Sequence, residues 1–227
     1  MDKIFGYNGY VYRFGNALWE IIVFSFLWTI FSIPIVTCGA ATTALYYVAT
    51  RRISDRGGYI FRDFLKSFKD NFKQATKIWC VILVAAVILC ADVYLLIYTD
   101  VMGISLGMKQ LLLGIQIFFL FEVAANTLYI FPVMARFDMD TKTVIKTSAF
   151  MAHRHLHITI SLLLMFAVLF FGVIFLRNWL LVFITLFWSG LFAFGASYLF
   201  MHVFKIYRPE MDKPDDDITG GKDGRFK

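Results

Sequence analysis

Apolar residues along this chain fall into five long runs separated by short polar stretches. They cover roughly residues 17–36, 78–98, 111–135, 157–176 and 179–204. About 20 consecutive apolar residues cross a bilayer as a helix, so each run predicts one spanning helix. The third and fifth exceed that minimum, and tilt is the ordinary accommodation. The last two are separated only by Arg177-Asn178, which predicts a tight helical hairpin.

Two of the polar stretches are patterned rather than random. In "YIFRDFLKSFKDNFKQATK", Phe61, Phe64, Phe68 and Phe72 recur at helical spacing, with Arg62, Lys66, Lys69 and Lys73 on other faces. Such a stripe predicts an amphipathic helix. Aromatics opposed to lysines suit either a membrane surface or a groove on a partner protein. The stretch "DMDTKTVIKTSAFMAHRHLH" is a second amphipathic segment, expected to be capped by Thr141 or Thr143 and to run straight into the fourth span. The two segments share a plan suggestive of a diverged repeat.

Composition turns this pattern into a compartment. Of 227 residues, 59% are hydrophobic, 17% are charged and 26 are Phe. Mean hydropathy is +0.69. A soluble domain carries about 25% charged residues. The expected fold is therefore all-α: a polytopic integral membrane protein with about five transmembrane helices plus cytoplasmic amphipathic helices. A single membrane domain spans 1–205, followed by a polar C-terminal tail, 206–227, expected to be disordered. No cleavable leader is evident in the first 16 residues.

Charge adds orientation. The 22 Lys and Arg lie between the runs, so they do not form a nucleic-acid-binding stripe. Counted through five crossings, alternate segments hold 8, 4 and 6 on one side, against 2, 1 and 1 on the other. The richer side is cytoplasmic by the positive-inside rule. That count places the N-terminus outside, the C-terminus inside and the chain in the cell membrane.

Candidate chemistry is sparse. Glu20, Asp92, Glu122, Asn126 and His202 lie in or near the runs, where ionisable groups are expensive and face a protein interior or water. Glu122 and Asn126 are four apart near the centre of the third run, and form the candidate polar cluster. Glu20 and Asp92 fall toward the outer side, where headgroups or water would solvate them. His153 and His157 share a helix face but lack an acidic partner in sequence, so no metal site is expected. Cys38, Cys80 and Cys90 have no ligand spacing. No nucleophile, phosphate loop or cofactor fingerprint is present, which points to a non-enzymatic protein with no cofactor.

At "SIPIVTCGAATTALYYV" the first run breaks. Pro34 removes a helical hydrogen bond, Thr37 follows, and Gly39 would permit a turn at the cytoplasmic surface. A helix with small residues then restarts. An alternative is a re-entrant element lining a path.

This break, "FGYNGYVYRFGNALWEI" before it, the Phe61–Phe72 helix, and "YIFPVMARFDMDTKTVIKTSAFMAHRHL" further on come in an order that resembles the YesL family, domain of unknown function 624. Such proteins often read Thr-x-Gly-Pro-Ala where this chain has Thr37-Cys-Gly39-Ala40-Ala41. The resemblance implies a bacterial inner-membrane protein associated with carbohydrate uptake. The expected role is an accessory or assembly protein for a sugar ABC importer, contacting its permease subunits and the lipid bilayer. A small transporter or channel, as a homo-oligomer, is the alternative.

Overall fold

A computed structural model of the chain describes residues 10–54, 59–98, 103, 105–175 and 180–207. Among these the regular structure is all helical. Helix α1, Tyr10–Ser32, ends in a 3-10 turn, Ile35–Thr37, which leads into α2, Cys38–Ile53. The chain continues through α3, Ile60–Tyr98; α4, Leu106–Arg136; and α5, Thr141–Arg154. It ends with α6, Leu156–Phe175, and α7, Leu180–Tyr207.

Length and composition suffice for crossing a membrane in Gly15–Ser32 of α1, in α3 and in α4, with a fourth if α5 and α6 count as one bent span. This makes the chain a multi-pass membrane protein. Within α7, the described apolar stretch is Trp188–Phe204, which is shorter. The Arg177-Asn178 connection and the tail from residue 208 lie outside the described residues.

Helix α2 forms the middle of the packing. Ala40, Ala41, Thr43, Ala44 and Ala49 are fully buried, and Tyr46 and Thr50 nearly so. Small side chains let neighbouring backbones come close. Thr43 and Thr50 bury their hydroxyls without penalty because each donates to a carbonyl one turn back, Gly39 O at 3.0 Å and Tyr46 O at 2.7 Å. Phe200 of α7 sits edge-on to both Tyr46 and Tyr129, centroids 5.9 and 5.0 Å away. That aromatic group ties α2, α4 and α7 together.

Two expected elements take a different form. The Phe-Lys segment is no separate surface helix; it is the first half of α3, which runs unbroken for 39 residues. Nothing between Lys77 and Ile78 breaks a helix, with neither Gly nor Pro between Ile60 and Tyr98. At 1.5 Å per residue the helix is about 58 Å long, roughly twice a hydrocarbon core. Its two halves therefore occupy different surroundings. The second half exposes Val81, Val84 and Val87, and α4 beside it exposes Leu111, Ile115 and Phe118, apolar surface suited to lipid contact.

The 138–157 segment does not run straight into the next helix. At His155 (φ −114°, ψ 47°) α5 ends, and α6 leaves at 94°. Buried Thr159 secures the corner by donating to Ala152 O at 2.8 Å. The N-cap is Asp140 rather than either threonine: its carboxylate accepts from Lys142 N at 3.2 Å and from the Thr143 hydroxyl. One segment is thus continuous with the helix that follows and the other is sharply bent, so the shared plan does not extend to their geometry.

Candidate functional site

The break after α1 is built by Thr37. Helix α1 stops at Ser32 because Pro34, at φ −75° and ψ 115°, takes an extended conformation that no helix continues. The Thr37 hydroxyl lies 2.6 Å from Phe31 O, a carbonyl of the last turn of α1, and 2.8 Å from Pro34 O, which already accepts from Thr37 N at 2.9 Å; its one proton can serve the helix end at Phe31. Trp79 Nε1 of α3 donates to Ile35 O at 2.7 Å, fastening the turn to the middle of α3.

Gly39 does not supply the turn. It lies within α2, with buried surroundings and helical backbone. A Cβ there would stand 2.6 Å from Trp79 Cβ and 2.9 Å from Ala75 O. What its missing side chain provides is close approach of α2 to α3, not backbone freedom. Sequence reading gave the right residue the wrong reason, because a Gly after a Pro-containing break invites a turn interpretation.

At the other end of α2 lie two ion pairs. Arg52 reaches Glu20 Oε1 at 2.5 Å, and Arg51 lies 3.8 Å from Asp63 of α3. Glu20 is only 8% exposed, so an intramolecular arginine solvates it, where the sequence suggested headgroups or water. The pairing spans 32 positions and left no local signal.

The expected Glu122–Asn126 pair does line one space. A cavity of about 200 Å³ lies between α3 and α4, walled by Val81, Ile82 and Ala85 opposite Phe119, Glu122, Asn126 and Ile130. Asn126 donates to Glu122 O on its own helix at 2.8 Å, and its Oδ1 is buried with no partner among the described residues. Glu122 Oε1 instead meets His153 Nε2 of α5 at 3.0 Å, while His153 Nδ1 lies 2.7 Å from Ala149 O. Two acceptors flank one imidazole, so the ring satisfies both only when it carries two protons. The Ala149 carbonyl, and then the Glu122 carboxylate, hold His153 above the usual imidazole range.

Sequence spacing paired His153 with His157 as the residues sharing a face. The structure joins His153 to Glu122, across helices. The described residues contain no group of three or more His, Cys, Asp or Glu placed to hold a metal. Asp92 is half-buried and His202 exposed.

The four phenylalanines divide. Phe64 is fully buried and Phe68 half-buried, with Phe31 of α1 5.3 and 4.9 Å from their ring centres. These two build the protein's own core. Phe61 at 58% and Phe72 at 37% exposed remain available to lipid or a partner.

Residues 16–93 match the model of a protein family described as "Protein of unknown function, DUF624". That stretch carries the family's pattern. It begins in α1, takes in the break and α2, and ends within α3. The resemblance is borne out over this third of the chain, 16–93; the first part of the N-terminal motif, 5–15, and the downstream motif, from Tyr129, lie beyond the match. No curated protein and no solved structure matches the chain.

Proposed function

We propose that this DUF624-like chain is a non-enzymatic membrane accessory or assembly protein associated with a carbohydrate ABC importer. The observation that carries the reading is how the polar groups are used. Glu20, Thr37, Trp79 and Glu122 each bond to a neighbouring element of the same chain, holding helices in register. Such bonding suits a scaffold. Phe61 and Phe72, exposed among the lysines of α3, and Ile145 and Phe150, exposed on α5 beside Lys142, Lys146 and Arg154, offer apolar contacts next to basic ones, suited to permease subunits. Lys- and Arg-rich segments support a cytoplasmic position for residues 51–77, 136–154 and the tail.

The test is co-purification, in mild detergent, with sugar permease subunits encoded beside this chain. Specific recovery supports the role. Failure to recover any permease under conditions that preserve the importer itself overturns it.

A second reading, a small transporter working as a homo-oligomer, draws on the Glu122–Asn126 cavity and its unpartnered carbonyl oxygen. Sugar or proton flux through liposomes should then fall in Glu122→Gln. Equal flux in both proteins excludes that use of Glu122. The expected outer N-terminus, and with it five crossings, requires α1 to span the membrane.

A further inference from the structure

We infer that α1 and α2 form a re-entrant hairpin that enters and leaves the cytoplasmic leaflet, so that the N-terminus is cytoplasmic and the chain has four crossings. This inference rests on membrane embedding alone and is independent of the accessory role.

The geometry is a matter of which ends meet. Glu20 at the middle of α1 pairs with Arg52 at the end of α2, and Trp28 Nε1 donates to Thr42 Oγ1 at 3.0 Å nearer the turn, so the first ten residues of α1 run on past the end of α2, away from the turn. The two helices therefore run antiparallel, joined by the tight 33–37 connection. Arg51 pairs with Asp63 at the start of α3, and Ser54 Oγ lies 3.4 Å from Met201 Sδ of α7. The open end of the hairpin is thus the end where the α2–α3 connection lies. A segment with both ends at one side makes no net crossing, however deep its tip reaches.

Charge identifies the side. The α2–α3 region, residues 51–77, holds 8 Lys and Arg. With α1 uncrossed, the N-terminal pair, Lys3 and Arg13, joins them. Only Lys109 and Arg177 of the 22 then remain on the opposite face. This asymmetry is sharper than five crossings give, and it obeys the positive-inside rule more closely.

The tip has the chemistry of a lipid contact. Ile33, Ile35 and Val36 are 74%, 69% and 50% exposed. They sit beside Trp79, where α3 passes from its lysine-bearing half to its apolar half. Exposed Ile22, Phe26 and Ile30, four apart on one face of α1, lead into Ile33, so the tip continues an apolar face of its own helix, which points to the hydrocarbon of the inner leaflet as its occupant. The hydrophobic run had the composition of a span because a hairpin arm in lipid needs the same residues.

Epitope tags placed before Met1, after Gly103 and after Lys227, one per full-length protein, test this in sealed right-side-out and inside-out vesicles. The N-terminal tag should share the protection pattern of the C-terminal tag, opposite to that at Gly103. An N-terminal tag accessible together with the Gly103 tag overturns the proposal. A spin label on Ile35→Cys, with Cys38, Cys80 and Cys90 replaced by Ala, reads the tip. Relaxation by oxygen over an aqueous nickel chelate supports lipid contact, and the reverse overturns it. The tags retain the native core, so they decide topology even where the cysteine variant fails to fold.

Discussion

Glu20 and Arg52 meet at 2.5 Å, yet their exposures are unequal: the Glu20 side chain is 10% exposed and that of Arg52 is 41%. An arginine losing its partner can turn to water, whereas the carboxylate left behind cannot. Arg52→Ala should therefore cost more than Glu20→Ala, about 1–3 kcal/mol against under about 1 kcal/mol, once the exposed half of the pair is discounted for screening. Thermal unfolding in a fixed detergent compares them. Equal losses would mean that Glu20 has access to water.

Glycine positions supply a second contrast. At Gly39 a Cβ meets Trp79 Cβ and the Ala75 carbonyl, and at Gly190 it meets the Ile21 carbonyl, backbone that cannot rotate aside. Gly39→Ala and Gly190→Ala should each destabilise by about 1–3 kcal/mol through overpacking. Gly114 has nothing within 4 Å, so Gly114→Ala should be neutral or gain up to about 1 kcal/mol from helix propensity. Melting temperatures of the three variants check the ordering.

How much of this was legible in the sequence differs with the range of the interaction. Helical periodicity and apolar runs depend on neighbours a few positions away, so the all-helical membrane character and the Phe stripe could be read directly. The stripe's burial could not, because Phe31, the ring that covers Phe64 and Phe68, lies 33 and 37 positions upstream of them. Glu122 looked like a residue of a span centre since only its own run was in view, and His153 arrives from another helix. Gly190 carried no signal at all in a run of large apolar residues. The bend at His155 also escaped, since it depends on the bond Thr159 makes across the corner, whereas the unbroken course of α3 was present in the sequence as the absence of Gly and Pro between Ile60 and Tyr98.

The Glu122–His153 contact predicts a pH dependence with a definite sign. His153 is raised in the folded protein by its bond to Ala149 and by Glu122. Its contribution to stability is therefore full below the ordinary imidazole value, about 6.5. It is lost as pH rises through the higher folded value. Melting temperature should fall between mildly acidic pH and pH 8, and Glu122→Gln should flatten part of that fall. An identical slope in both proteins would show that the pair does not titrate as described.

Trp79 offers a test of the turn. Trp79→Phe keeps an aromatic ring against Phe131, 5.9 Å away by centroids, but removes the donor to Ile35 O. The loss should be about 1 kcal/mol, with proteolysis sensitivity rising first near residues 33–37. Limited proteolysis followed by mass spectrometry locates the cut; cleavage elsewhere first would contradict the fastening role.

The unbroken course of α3 has a mechanical meaning. The basic half of this helix, about 58 Å long in all, is anchored along its length: by Asp63 to Arg51, by Phe64 and Phe68 in the core, and by Trp79 at the 33–37 turn. Beyond Trp79 the same helix turns Val81, Val84 and Val87 outward. With neither Gly nor Pro between Ile60 and Tyr98, one continuous backbone joins the half that is fastened to the protein to the half that meets lipid, so the position of the first sets the depth of the second.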